Sequence, residues 1–284
     1  MLGGIEAGGT KFVLAVGASP YEIAARHVIP TRDPATTLAD AADWFERQGR
    51  LSALGIASFG PVVLDRASPR WGQITTTPKP GWSGCSLAGF FERRLQVPVG
   101  FETDVNAAAL AEFGARESGE NNSLAYVTVG TGIGGGLVIG GVPVHGVAHP
   151  EMGHMIPRRH PGDRVFDGVC PHHGDCLEGL ASGPAITARW GMSLSELPSN
   201  HAAHEIVAFY LAQLCHTLFA MTAVPIIVLG GGVMQTDGLL GRVRQHASLL
   251  DRGYLPGSHC QRIETPKLGE DSGITGALIL ARNA

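Results

Sequence analysis

The chain has 284 residues, 44% hydrophobic and 16% charged, with 40 glycines and a net charge of -4 at neutral pH. That length suffices for two lobes of ordinary size, each with its own core, and the acidic balance offers no basic footprint for nucleic acid. No apolar run approaches the roughly 20 residues of a membrane span, and Met1-Leu2-Gly3-Gly4-Ile5-Glu6 lacks a signal peptide's basic head, so a cytoplasmic chain without a membrane partner is expected. Five cysteines are an odd number. Cys85, Cys215 and Cys260 fall in stretches that read as core or loop, which argues against a disulfide framework.

Leu2 to Ala7 and Phe12 to Val16 read as strands joined by Gly8-Gly9-Thr10-Lys11, a hairpin whose glycine turn can offer backbone N–H groups to phosphate, with a hydroxyl and a charge beside them. The Walker spacing is absent, and a plain hairpin turn would look the same. Tyr21 to Ile29 predicts a third strand, the spacing of Leu38, Ala41, Ala42 and Phe45 a helix face, and Leu54 to Ser58 a buried strand. Ser68 to Gly84 is rich in proline, glycine and hydroxyls. It predicts a surface loop, whose Thr and Trp82 could cover a sugar or be merely solvated.

Val97 to Thr103 predicts a strand, and Asp104-Val-Asn106 opens an alanine-rich helix. Asp104 has two readings there. It can cap the helix, or it can be a general base that takes the proton of a substrate hydroxyl attacking a γ-phosphoryl group. Leu124 to Val129, Gly130-Thr131-Gly132-Ile-Gly134-Gly135-Gly136 and Leu137 to Ile139 repeat the first hairpin. Such a repeat predicts two lobes of like topology facing one nucleotide. The Gly-x-Gly-x-x-Gly match inside it precedes a strand where a dinucleotide fold needs a helix, which excludes that fold.

Glu151-Met-Gly-His154 and Cys170-Pro-His172-His173-Gly-Asp-Cys176-Leu-Glu178 bring thiols, imidazoles and carboxylates into one stretch. Mixed thiolate and imidazole donors suit a four-ligand structural zinc site, with Cys170, His173 and Cys176 evenly spaced and His154 the natural fourth. His172 competes with His173. Gly179 to Pro184 turns into a helix reaching Trp190, and His204 to Ala223 is a long amphipathic helix on which His216 and Met221 read as helix-face and core residues. Pro225 to Leu229 is a buried strand. Gly230-Gly231-Gly232-Val233-Met234 reads as a turn into a helix where backbone can lie against a nucleotide, and Asp271 to Arg282 closes the chain as a helix. The expected lobes are residues 1–110 and 111–270, with 271–284 packing back on the first and a hinge near 104–120.

The stretches Glu6 to Lys11, Thr103 to Glu112, Gly130 to Gly136, Glu151 to His154, Cys170 to Pro184 and Gly230 to Met234 together resemble the ROK family of sugar kinases and repressors, most closely its bacterial fructokinase branch. The resemblance implies an α/β, two-lobed, actin-like (ribonuclease H-like) fold with duplicated phosphate-binding hairpins. By the same likeness Asp104 is the base, Thr103, Glu151, His154 and Glu178 join it at the sugar, and the zinc loop shapes that pocket. ATP, entering with magnesium, would then lie along Gly8, Gly9, Thr10, Lys11, Gly130, Thr131, Gly132, Pro184, Gly230, Gly231, Gly232, Val233 and Met234. The metal set is His154, Cys170, His173 and Cys176. Thr103 stands where the family's glucokinases carry Asn, and the zinc loop has Cys, His, Cys where theirs has three cysteines; both features are shared with the fructokinase branch. The expectation is a homodimeric, cytoplasmic fructokinase. The alternatives are a glucokinase, mannokinase or N-acetylhexosamine kinase, and a sugar-responsive regulator. For the last, a hairpin starting at residue 2 leaves no room for an N-terminal helix-turn-helix.

Overall fold

The computed structural model describes residues 1–116 and 122–284. The chain forms two compact units: Met1–Arg116 with Val142–Pro150 and Glu270–Ala284, and Glu117–Gly141 with Glu151–Gly269. Residues 117–121, part of the expected hinge near 104–120, lie outside the described residues.

The first unit begins with strands β1 (Leu2–Ala7), β2 (Lys11–Ser19) and β3 (Glu22–Pro30), then helix α1 (Pro34–Gln48), β4 (Ala53–Ser58), α2 (Leu87–Leu95), β5 (Val99–Thr103) and α3 (Asp104–Gly114). Its sheet runs β3-β2-β1-β4-β5. Strand β1 pairs antiparallel with β2 and parallel with β4, itself parallel to β5. Period-two alternation divides the strand side chains between two cores. Ile5, Ala7, Phe12, Leu14, Leu54 and Ile56 point to α1 and α2, where Leu38, Ala41, Ala42 and Phe45 form the buried helix face. Val13, Ala15 and Ala57 point the other way. Asp33 caps α1 by accepting the Thr36 N–H, with Pro34 in the first turn, where a missing N–H costs nothing.

In the second unit β6 (Ser123–Val129) and β7 (Ile133–Ile139) are an antiparallel hairpin. The chain returns to the first unit through the two-residue strand β8 (Val142–Pro143), then supplies the second with α4 (Leu177–Ala181), α5 (Gly183–Trp190), α6 (Ala202–Thr222), β9 (Ile226–Gly230), α7 (Leu239–Asp251) and β10 (Arg262–Glu264). Strand β6 is parallel to β9, and β9 to β10. In both units, therefore, the strand that enters a glycine turn is antiparallel to its hairpin partner and parallel to a later strand. Helix α8 (Ser272–Arg282) goes back to the first unit, where Ile274, Ala277 and Leu278 cover Val13, Ala15 and Ala57.

Three expectations are corrected. Trp82 is fully buried: its ring packs against Phe12 and Phe59 and its Nε1 donates to the Arg32 carbonyl at 2.9 Å, so this aromatic serves the core and not a sugar. Helix α6 is, by length and composition, apolar enough to cross a membrane. Its Val207, Ala208, Tyr210, Leu211, Ala212 and Cys215 are buried within the second unit, as in the core helix of a folded domain. Met221, near its end, is exposed and is no core residue.

Candidate functional site

In the first glycine turn, the Gly8 N–H donates to the Lys11 carbonyl at 3.0 Å, and the Thr31 hydroxyl, from the end of β3, donates to the Gly8 carbonyl at 2.7 Å. Lys79, from the proline-rich loop, sets its ammonium on the carbonyls of Gly9 and Thr31. Nothing in the sequence pattern marked that brace. Thr10 and Lys11 are exposed beside it. A Cβ on Gly9 would meet nothing within 4 Å, and the same holds for Gly130 and Gly232. The fold itself does not demand glycine at these three places, which leaves bare backbone open to an anion.

Asp104 opens α3 at the end of β5 and is half-buried. The cap is Thr103, whose hydroxyl accepts the Asn106 N–H at 3.2 Å, so the capping role weighed for Asp104 falls to its neighbour. Thr103 is itself buried, and capping accounts for its hydroxyl. One Asp104 carboxylate oxygen accepts the Val105 N–H at 2.9 Å. The nearby Glu6 carboxyl on β1 is pushed up to about 7, by burial first and by the charge of Asp104 second. Glu6 opens the Glu6 to Lys11 motif, and no sequence pattern marks its carboxyl as functional.

In the second unit, strand β7 joins the remaining candidates. The Ile133 N–H donates to Oε2 of Glu178 at 3.0 Å, while the Ile133 carbonyl lies so close to Gly153 that a Cβ there would approach it to 1.8 Å. The second hairpin thus packs on the Glu151-Met-Gly-His154 turn and holds the Glu178 carboxylate. The Gly183 N–H donates to the Gly130 carbonyl at 2.8 Å, so Pro184, exposed in the first turn of α5, sits next to the hairpin. Gly231 has φ 90° and presses on Val129, where a Cβ would fall 2.4 Å from the carbonyl oxygen; only glycine fits. Beyond it Gly232 and Val233 are accessible, Met234 is buried, and a 3-10 turn precedes α7.

The metal candidates converge. One ligand atom from each of His154, Cys170, His173 and Cys176 lies within 4.8 Å of all the others. Nδ1 of His154 is 3.8 Å from the Cys170 sulfur and 3.5 Å from the Cys176 sulfur, and Nδ1 of His173 is 3.7 Å from Cys170. A tetrahedral ion with bonds of about 2.3 Å to sulfur and about 2.05 Å to nitrogen separates such atoms by about 3.6 Å, so the set fits. The gathered imidazole is His173, not His172. Burial, with Cys170 alongside, pushes the Cys176 thiol up to about 11, and a cation is what would make paired thiolates tenable there. The loop is also braced from outside: Arg159 reaches Asp175 at 3.3 Å and the buried Asp163 at 3.2 Å, and Tyr210 of α6 donates to Asp163 at 2.7 Å.

The ROK family model matches residues 2–284, and the chain belongs to that family. A fructokinase of Zymomonas mobilis is 48% identical over 98% of this chain and 95% of its own length. A putative fructokinase of Bacillus subtilis is 45% identical over 100% and 96%. A ROK hexokinase from Thermus thermophilus superposes with a TM-score of 0.79 at 28% identity, over 99% of this chain and 98% of that one. The fold is accordingly the two-lobed, actin-like fold of the ROK sugar kinases.

Proposed function

We propose that this chain is an ATP-dependent hexose kinase whose preferred acceptor is fructose, giving fructose 6-phosphate and ADP. The 48% identity with a fructokinase along nearly the whole of both chains carries the reading. Asp104 supports it: the carboxylate stands at a strand-to-helix junction whose capping is done by Thr103. In this reading Asp104 accepts the proton of the acceptor hydroxyl as that oxygen bonds to the γ-phosphorus, and the bond from phosphorus to the bridging oxygen of ADP breaks. The bare backbone at Gly9, Gly130 and Gly232, with Thr10, Lys11, Thr131 and Pro184, lies along ATP. Glu151, His154 and Glu178 take the remaining sugar hydroxyls, since carboxylates accept from vicinal hydroxyls readily. Magnesium accompanies ATP and neutralises phosphate charge.

The ion in the clamp is zinc in this reading, because two thiols and two imidazoles form a soft, closed, four-donor set. Bound zinc supplies a structural cross-link, and His154, ligating through Nδ1, keeps Nε2 for the sugar. The enzyme works as a cytoplasmic homodimer. The test is ADP release with MgATP across fructose, mannose, glucose and N-acetylated hexosamines. The highest kcat/KM belongs to fructose; a higher value for glucose or an acetylated hexosamine would transfer the assignment to that sugar.

A further inference from the structure

Glu102, the last β5 residue before the helix cap, carries a buried carboxylate that no step above uses; the residue is only 4% exposed. Burying such a charge is costly unless donors surround it. Here they do. Its Oε1 accepts the Thr103 N–H at 2.8 Å and Asn106 Nδ2 at 3.0 Å, and its Oε2 lies 2.7 Å from Nε2 of His145. Asn106 Nδ2 is also 3.4 Å from that imidazole nitrogen. Asn106 meanwhile gives its backbone N–H to the Thr103 hydroxyl. Glu102, Thr103 and Asn106 therefore enclose the one turn on which Asp104 stands, and His145 is the fourth member of the set.

His145 comes from the Val142–Pro150 excursion, which belongs to the same unit as Asp104. That excursion is fastened a second time by His149, whose Nε2 accepts the Val62 N–H at 3.2 Å. Sequence-distant chain is thus fastened by two imidazoles, His145 at the end of β5 and His149 at Val62 in the loop after β4. What His145 adds is charge: at 2.7 Å its bond to Glu102 is of the charge-assisted kind when the ring is protonated.

We propose that His145 and Glu102 are a positioning pair for Asp104, in which the protonated imidazole holds the buried carboxylate, and through it the first turn of α3, in the arrangement that serves turnover. The inference rests on Asp104 being the base. Among the described residues, the charged group in hydrogen-bond contact with His145 is Glu102, on β5; from α3 the ring meets Asn106, which is neutral. The hydrogen bond to Glu102 raises the His145 pKa above the ordinary imidazole value, outweighing the opposing effect of burial. The ring accordingly holds its proton to a higher pH than an unpaired imidazole does. A neutral ring protonated on Nε2 still donates to Glu102, so the loss of function is graded, several-fold in kcat and not complete.

The experiment is the pH dependence of kcat at saturating MgATP and fructose between about pH 6 and pH 9, for wild type, His145→Asn and Glu102→Gln, with an NMR titration of the His145 ring proton in the wild type. Wild type shows an alkaline decline whose midpoint matches the ring titration, above the ordinary imidazole value of about 6.5. His145→Asn, whose amide donates at every pH, turns over several-fold more slowly and lacks that decline; Glu102→Gln loses it too. A decline unchanged in His145→Asn, or a ring midpoint at or below the ordinary value, overturns the proposal. The NMR arm decides even if both variants fail to fold. Turnover by Asp104→Asn comparable to wild type would remove the base reading itself. An inactive Asp104→Asn together with an unmoved pH profile in His145→Asn removes only the positioning pair.

Discussion

Replacing Glu6 by Gln tests the electrostatics around Asp104 without touching the proposed base. Glu6 lies on β1 with its carboxyl against the first turn of α8, where a Cβ on Gly273 would come within 2.5 Å of it. Burial raises its pKa most and Asp104 next; Lys11 and Arg26 lower it, and Asp271 raises it slightly. The net rise is from 4.5 to about 7. Between those values the folded chain holds a proton that the unfolded chain has released, so stability is fully present below the unfolded pKa and is lost as pH rises through the folded one. At about 1.4 kcal/mol per pKa unit the loss amounts to about 3 kcal/mol above neutral pH. Glu6→Gln cannot titrate. In urea unfolding at pH 5 and pH 8, without nucleotide or magnesium, the variant gains about 2.5 kcal/mol relative to wild type between the two conditions, since pH 5 already lies above the unfolded pKa. Parallel pH dependences for variant and wild type would show that Glu6 is not held protonated and that Asp104 stands in a weaker field.

Thr103→Ala removes the cap of α3 and costs about 1 kcal/mol by thermal or urea unfolding; Thr103→Ser, which keeps the hydroxyl, costs less than half of that. Lys79→Met removes the ammonium from the Gly9 and Thr31 carbonyls. Its expected effect is a several-fold rise in the KM for ATP with the KM for fructose unmoved, read by steady-state kinetics; equal rises in both would point to general loosening of the unit. Cys170→Ser with Cys176→Ser brings metal content from stoichiometric to background by elemental analysis. Because Arg159, Asp163 and Tyr210 brace the loop independently, the double variant stays folded near room temperature. Wild-type metal content in that variant would dissolve the clamp.

Short-range patterns carried much of the fold. The apolar run Phe12 to Val16 and the helical spacing of Leu38, Ala41, Ala42 and Phe45 gave elements that the structure contains, because each is decided by what must be buried. The repeated glycine turn exposed the duplicated topology. The four candidate metal donors were legible because soft side chains cluster within 23 residues of chain, His154 to Cys176. Long-range partners were not legible. The Ser68 to Gly84 composition reads as solvated, yet Trp82 is drawn into the core by Phe12 and Phe59, which are distant or unremarkable in sequence. Lys79 on Gly9, and His145 on Glu102, join segments 70 and 43 residues apart, with no periodicity to announce them. Asp104 against Thr103 shows the finer limit: either residue type can cap a helix, and only the observed register assigns the cap.

The most direct test of the central claim is phosphorus NMR of the product formed from fructose and MgATP, run with wild type and Asp104→Asn side by side. Wild type yields one equivalent of fructose 6-phosphate per ADP, while Asp104→Asn, folded and still binding fructose, yields at least about a hundredfold less in the same time. ADP without a sugar phosphate, or product from Asp104→Asn at the wild-type rate, would contradict the assignment of Asp104 as the base of a hexose kinase.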